Sequence, residues 1–329
     1  MKTPLCKLLG IEVPILQAPM EGAVGPRLAA AVSNAGGLGM LAPWAADLDA
    51  VRREIRETRA LTDRPFAVNL NPAFPQEARL AVCLEEGVPI VSLFWQAAPR
   101  LVERAKAAGA LVLYTAESAE AARQVVRWGA DAVVTQGWEA GGHVRGSVAS
   151  LPLIPAAVDA VAPVPVIAAG GIADGRGLAA ALCLGAAGVW VGTRFLAAEE
   201  AMVHPAYVER LLAAGEADTV YLEHLFDIGW PDAPHRVLYN TTVAAWIAAG
   251  RPPIGQRPGE GEVVATSPSL GDIHRYSSDT PFHDISGEVE AMSLYAGQSV
   301  GLVRNLLPAA EIVKSLVAEA EDVLRGLNH

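Results

Sequence analysis

Eight short apolar runs, each rich in Val, Ile and Leu, recur through the first two hundred residues. They occupy residues 15–20, 37–43, 66–71, 90–95, 110–115, 132–136, 165–170 and 188–193. Between them lie segments of about 15 to 30 residues with helical spacing and Ala, Glu and Arg, such as 47–58 and 117–129. Continuous apolar strands alternating with helices predict a parallel sheet covered on both faces. Eight such units match the count of an α/β (β/α)8 TIM barrel, and an open doubly wound sheet is the competing reading.

After Phe195 the texture changes. Residues 201–285 are richer in Trp, Tyr, His and Pro, with helices expected near 204–214 and 238–249. They read as a smaller, mostly helical lid domain following a barrel of residues 1–200. Residues 286–329 read as C-terminal helices, the last an amphipathic one over 308–327 that packs back on the barrel.

Composition narrows the function. A hydrophobic share of 52% excludes disorder, and a net charge of −11 provides no basic field for nucleic acid or anionic lipid. The longest apolar stretch, 151–173, is interrupted by Asp159, prolines and glycines, so no membrane span is expected. No signal peptide is read at the N-terminus, and three cysteines without ligand-like spacing suit a reducing cytoplasm and no metal. The high apolar share is compatible with a homodimer.

Chemistry is expected where the strands end, because barrel sites form at the C-terminal ends of their strands. The seventh run ends in Ala169-Gly170-Gly171 and the eighth in Gly192-Thr193. Glycines let a backbone approach phosphate oxygens, and Thr193 adds a hydroxyl donor. Past the sixth run lies Gln136-Gly137-Trp138-Glu139-Ala140-Gly141-Gly142-His143. Two glycines before a histidine form a loop that can aim an imidazole into the mouth as a general base. Glu139 reads as solvated. Asn69 and Gln136 end their strands and offer amides to a heteroaromatic ring, or in the case of Asn69 a helix cap. Trp44, Trp95 and Trp138 lie beyond strand ends and can wall an apolar pocket or pack a core. His204, His224, His235, His274 and His283 show no metal-ligand spacing. Gly37-Leu-Gly39 fails as a dinucleotide fingerprint, because its glycines fall within the apolar run.

Taken together, Gln17-Ala18-Pro19-Met20, residues 32–39, Val68-Asn69, Glu139–His143, Ala168–Ile172 and Val191–Phe195 occur in an order that resembles the nitronate monooxygenase family. The resemblance covers about residues 11–200 and extends loosely to Tyr295-Ala-Gly-Gln298. It implies an FMN-dependent barrel acting on a small-molecule substrate and O2. Ala18, Pro19 and Met20 would lie along the isoalloxazine, and Asn69, Gln136 and Gly141 would bind the flavin. Ala169, Gly170, Gly171, Gly192 and Thr193 would hold its phosphate, and His143 would be the catalytic base. The implied reaction oxidises an alkyl nitronate, or a nitroalkane deprotonated by His143, to a carbonyl compound and nitrite. FMN-type enoyl-acyl-carrier-protein reductases and NADH:quinone reductases resemble the chain through the same motifs. In the quinone reductases a lysine ends the fifth strand, where Thr115 stands here. A phosphate-binding barrel without turnover is the reading from another class.

Overall fold

The structure, a computed structural model, describes residues 1–327. Its strands, in chain order, are β1 (Ile15–Gln17), β2 (Gly39–Leu41), β3 (Phe66–Leu70), β4 (Ile90–Leu93), β5 (Leu111–Ala116), β6 (Ala132–Gln136), β7 (Gly142–His143), β8 (Val166–Ala169), β9 (Gly188–Val191), β10 (Thr219–Leu222), β11 (His235–Leu238), β12 (Val263–Ser267), β13 (Gly271–His274) and β14 (Ser286–Gly287). Eight of them form one parallel sheet in the order β1-β9-β8-β6-β5-β4-β3-β2. Its two ends meet. Leu16 bridges Leu38, Gln17 N donates to Leu38 O at 3.0 Å, and Leu38 N donates to Ile15 O at 2.9 Å. The sheet is therefore a closed barrel, not an open doubly wound sheet.

The pleat explains what fills it. Side chains alternate across a strand, so every second residue points inward. Leu16, Met40, Ala67, Ile90, Leu113, Ala132, Val134, Ile167 and Trp190 form one interior cluster, and Leu5, Cys6 and Leu9 of the helix Pro4–Leu9 join it. The alternate residues, such as Ile15, Leu41, Val68, Val91, Val112, Val133 and Val189, pack outward against the surrounding helices. Helices start where caps allow. Asp47 accepts from Ala50 N before Leu48–Leu61, and Asp174 accepts from Arg176 N and Gly177 N before Gly175–Cys183. Gly39 serves close packing rather than a nucleotide. A Cβ there would lie 1.8 Å from the Ala29 carbonyl oxygen of the helix Pro26–Asn34.

The eight expected strands are present, and all but β5 and β6 end before the expected C-terminal residue. Ala18, Pro19 and Met20 follow β1, and Gly170 and Gly192 follow β8 and β9. The lid contains the helices Pro205–Ala213 and Thr241–Ala248, and beside them as much strand as helix. β10 and β11 form an antiparallel sheet with β7, and β13-β12-β14 form another. Strands of four or five residues broken by glycine turns give too short an alternation to read from sequence. Leu238, expected to open a helix, is the last residue of β11. The C-terminal segment holds two short 3-10 turns and one long helix, Ala309–Gly326, where helices throughout were expected. Its Ile312, Val313, Leu316 and Ala320 bury into the outer barrel cluster. The expected positions 328 and 329 lie outside the described residues. Among the described residues no helix is long and apolar enough to cross a membrane.

The approach at Gly39 gives a direct test. Gly39→Ala forces backbone apart, because the atoms it meets are main-chain. We expect a loss of about 3 kcal/mol, read by denaturant or thermal unfolding. Unchanged stability would show that the helix moves freely off the barrel.

Candidate active site

The C-terminal ends of the barrel strands and the lid enclose a cavity of ≈ 560 Å³. That is within the ordinary size of a cofactor or substrate pocket. Its floor continues the inward register of the barrel. Asn69, Thr115, Gln136 and Ala169 follow interior residues of their strands by two positions, Trp190 is itself the interior residue of β9, and Ala18 and Gly192 extend the same alternation beyond β1 and β9. The twelve residues to which the resemblance gives a flavin or base role all line this cavity: Ala18, Pro19, Met20, Asn69, Gln136, Gly141, His143, Ala169, Gly170, Gly171, Gly192 and Thr193.

Each amide has part of its capacity committed. Asn69 Nδ2 donates to Ser92 Oγ at 3.1 Å, so Asn69 caps no helix and keeps its carbonyl oxygen for a ligand. Gln136 Nε2 donates to His143 O at 3.0 Å, which ties the end of β6 to β7. Thr193 Oγ1 accepts from Gly297 N at 3.0 Å, leaving its proton to donate. Gly170 and Gly171 hold φ of 97° and 73°, a region other residues adopt only with strain. Gly141 has a packing reason as well, since a Cβ there would lie 2.4 Å from Gly297 N.

His143 stands on a strand rather than the free loop expected. β7 pairs with β11, placing His143 opposite His235 and Gly142 opposite Arg236. Gly142 makes the turn into β7 with φ of 74°. The His143 ring lies 3.9 Å from the Trp230 ring, 5.2 Å from Tyr295 and 5.7 Å from His235. Its Nε2 is sealed from solvent and has no partner. Burial, and then the neighbouring His235, hold the His143 pKa well below the usual imidazole value. His235 cannot compete for a proton easily. Its Nε2 accepts from Phe226 N and its Nδ1 donates to Ala233 O, and burial lowers its pKa too.

Several residues differ from the sequence reading. Glu139 is not simply solvated. Its carboxylate accepts from Ser150 N and from Ser150 Oγ, fastening the loop after β6 to the next helix. Trp138 does not line the cavity. It lies under the buried Arg236 guanidinium, 4.5 Å from ring centre to Cζ. Trp44 does line it, stacked on Phe74 at 5.1 Å and edge-on to Trp230 at 5.4 Å. Trp95 braces Trp230 from 5.0 Å. His235 had no local signal, because its role depends on a strand pairing 92 positions along the chain. Among the described residues no group of three or more His, Cys, Asp or Glu is placed to hold a metal ion.

Glu21 and Asp279 also line the cavity. Glu21 is exposed where it opens on the cavity. Burial, then Asp279 and Glu54, push its pKa up to about 8, against a smaller opposing effect of Arg79. A carboxyl whose folded pKa is raised stabilises the fold below its unfolded value, and that contribution is lost as pH rises through the folded value. Glu21→Gln should therefore gain on the wild type as pH rises. We expect the difference in Tm to grow between pH 5 and pH 9 by the order of 2 °C. A difference that is constant with pH would refute the raised pKa of Glu21.

The chain resembles known proteins over nearly its whole length. The family model described as nitronate monooxygenase matches residues 2–78 and 71–319. A Mycobacterium tuberculosis protein named (3aS,4S,5R,7aS)-5-hydroxy-7a-methyl-1-oxo-octahydro-1H-indene-4-carboxyl-CoA dehydrogenase is 38% identical, over 97% of this chain and 96% of its own. A nitronate monooxygenase of Pseudomonas aeruginosa is 36% identical, over 97% of this chain and 98% of its own. Among solved structures, FabK from Thermotoga maritima superposes with a TM-score of 0.82 at 34% identity, covering 100% of this chain and 99% of that one.

Proposed function

The chain belongs to the nitronate monooxygenase family of flavin-dependent oxidoreductases, and we propose that it oxidises a carbon acid, in the first reading a nitroalkane or its nitronate, with FMN as cofactor and O2 as co-substrate. The products are a carbonyl compound and nitrite. The observation that carries this reading is the His143 Nε2 atom, buried, unpartnered and at the wall of the cavity. A neutral imidazole in that state is a base with nothing to accept from except a ligand.

The cavity residues fit FMN. The amides of Asn69 and Gln136 each retain an oxygen for a ring that offers N–H groups. At Gly192 the nearest atoms to an added Cβ, Ala18 Cβ at 3.5 Å and Met20 Sδ at 3.8 Å, leave an open cradle that a side chain would fill. Ala18, Pro19, Met20 and Gly141 would flank the ring. Ala169, Gly170, Gly171, Gly192 and Thr193 would take the phosphate through backbone and hydroxyl donors. When bound, FMN supplies the electron acceptor. The chain does the rest. His143 removes the proton from carbon, and Trp230, Phe74 and Trp44 present an apolar surface to the alkyl part. The lid keeps water from the reacting atoms.

A second reading is dehydrogenation of an alicyclic CoA thioester, named for the relative in Mycobacterium tuberculosis. The breadth of the aromatic wall favours it. The α-proton of a thioester is also a carbon acid, so His143 keeps its role.

The absorption spectrum of the purified protein and the identity of its released chromophore test the cofactor first. With FMN present, nitrite release from 1-nitropropane separates the first reading from the second. His143→Asn should retain the chromophore and lose about 10²–10⁴-fold in kcat/KM. The wild-type profile should stay flat from pH 8 to pH 6.5 and fall only below it, because the depressed pKa keeps His143 neutral over that range. An acid limb above pH 6.5, or full activity of His143→Asn, would remove His143 as the base.

A further inference from the structure

Asn71 stands one position beyond β3, on the inward alternation set by Ala67 and Asn69. Its side chain is 1% exposed and lines the cavity. Its Oδ1 accepts from Ala73 N at 3.0 Å, closing a tight turn. Its Nδ2 has no partner. A buried amide donor left unsatisfied costs free energy, so it marks a place where a ligand brings an acceptor.

Its position says which ligand. In the ring of eight strands β3 stands diametrically across from β8, whose end carries the Gly170-Gly171 loop. Asn71 is thus remote from the phosphate cradle. Asn71 O accepts from Phe74 N at 3.1 Å, and the Phe74 ring meets Trp230 at 5.8 Å. Trp230 in turn lies on His143. Phe74, three residues on from Asn71, and His143 thus meet the same Trp230 ring, and Asn71 and His143 line the same cavity.

We propose that Asn71 is a substrate-binding catalytic residue, whose Nδ2 donates to an oxygen of the nitro or carbonyl group that activates the carbon deprotonated by His143. The inference rests on the carbon-acid reading above. As the C–H bond breaks, the proton goes to His143 Nε2 and the electron pair moves through carbon onto that oxygen. A donor fixed there stabilises charge that develops during the step and costs little with a neutral ground state.

The test compares holoenzyme with Asn71→Asp and Asn71→Ser. Both keep an acceptor for Ala73 N, so the turn is retained; Asn71→Asp has no amide donor, and Asn71→Ser keeps only a hydroxyl on a side chain one atom shorter, drawn back from the ligand. Binding is read by calorimetry with nitrobenzene, benzaldehyde and toluene, flat probes with no removable proton on a carbon next to a nitro or carbonyl group. Wild type should bind the first two about tenfold more tightly than toluene, and the variants should bind all three alike. With 1-nitropropane, kcat/KM of Asn71→Asp should fall about 100-fold. Equal affinity of the three probes for wild type would overturn the assignment, as would a preference unchanged in the variants. Loss of the chromophore from both variants would also overturn it, because the donor would then serve the cofactor. If wild type leaves 1-nitropropane untouched, the nitroalkane reading fails, and the probe preference still decides the role of Asn71.

Discussion

The site depends on keeping one imidazole dry without tying it down. Burying His143 penalises its charged form, and any hydrogen bond to Nε2 would spend the lone pair that the proposed base role requires. The chain holds the backbone instead of the ring. The β7–β11 pairing fixes the main chain on one side, and Gln136 Nε2 grips the His143 carbonyl on the other. Gly142 supplies the turn that makes both possible. Trp230 and Tyr295 set the ring plane by contact alone. His235, with both nitrogens engaged, adds bulk and low polarity rather than a rival proton acceptor.

That arrangement is inherited from the pleat of the barrel. Because side chains alternate, the residue two beyond each interior apolar residue is also interior, but at the rim. The apolar plug built on Leu5 and Leu9 thus gives way along the same strands to Asn69, Thr115 and Gln136. One alternation serves both stability and chemistry, which is why the glycine loops and amides converge although they lie far apart in sequence.

The barrel was readable because each strand is a buried apolar run bounded by turn residues, a signal local to six or so positions. The same locality blurred the strand ends. Ala18, Pro19 and Met20 continue an apolar run without continuing a ladder. The glycines, Asn69, Gln136 and His143 were also visible, since they sit at strand ends where a barrel must place its site. Their identification with flavin positions came from resemblance rather than spacing. Glu139, His235 and Asn71 were not legible in this sense. Glu139 is defined by Ser150, His235 by its pairing with β7, and Asn71 by what it lacks, and none of these relations has a sequence period. The lid sheets were missed for the same reason, because their partners are distant and their strands short.

The charges of the cavity argue for the kind of substrate that suits it. Among the described lining residues Arg79 is the only Lys or Arg, and its guanidinium is spent on the carbonyls of Ala46, Pro75 and Ala45 at 2.8, 3.1 and 3.2 Å. His143 is held neutral and Glu21 leans toward its neutral protonated form, while Asp279 adds a carboxyl group to the lining. Outside the phosphate cradle, an anionic substrate would gain no free cation and would meet a carboxylate. Under the proposed reading a neutral nitroalkane therefore suits the cavity better than its nitronate, and a neutral donor at the wall would act only once the proton has left. Charge would then arise within the cavity, which is the condition under which fixed dipoles lower a barrier rather than merely tighten binding.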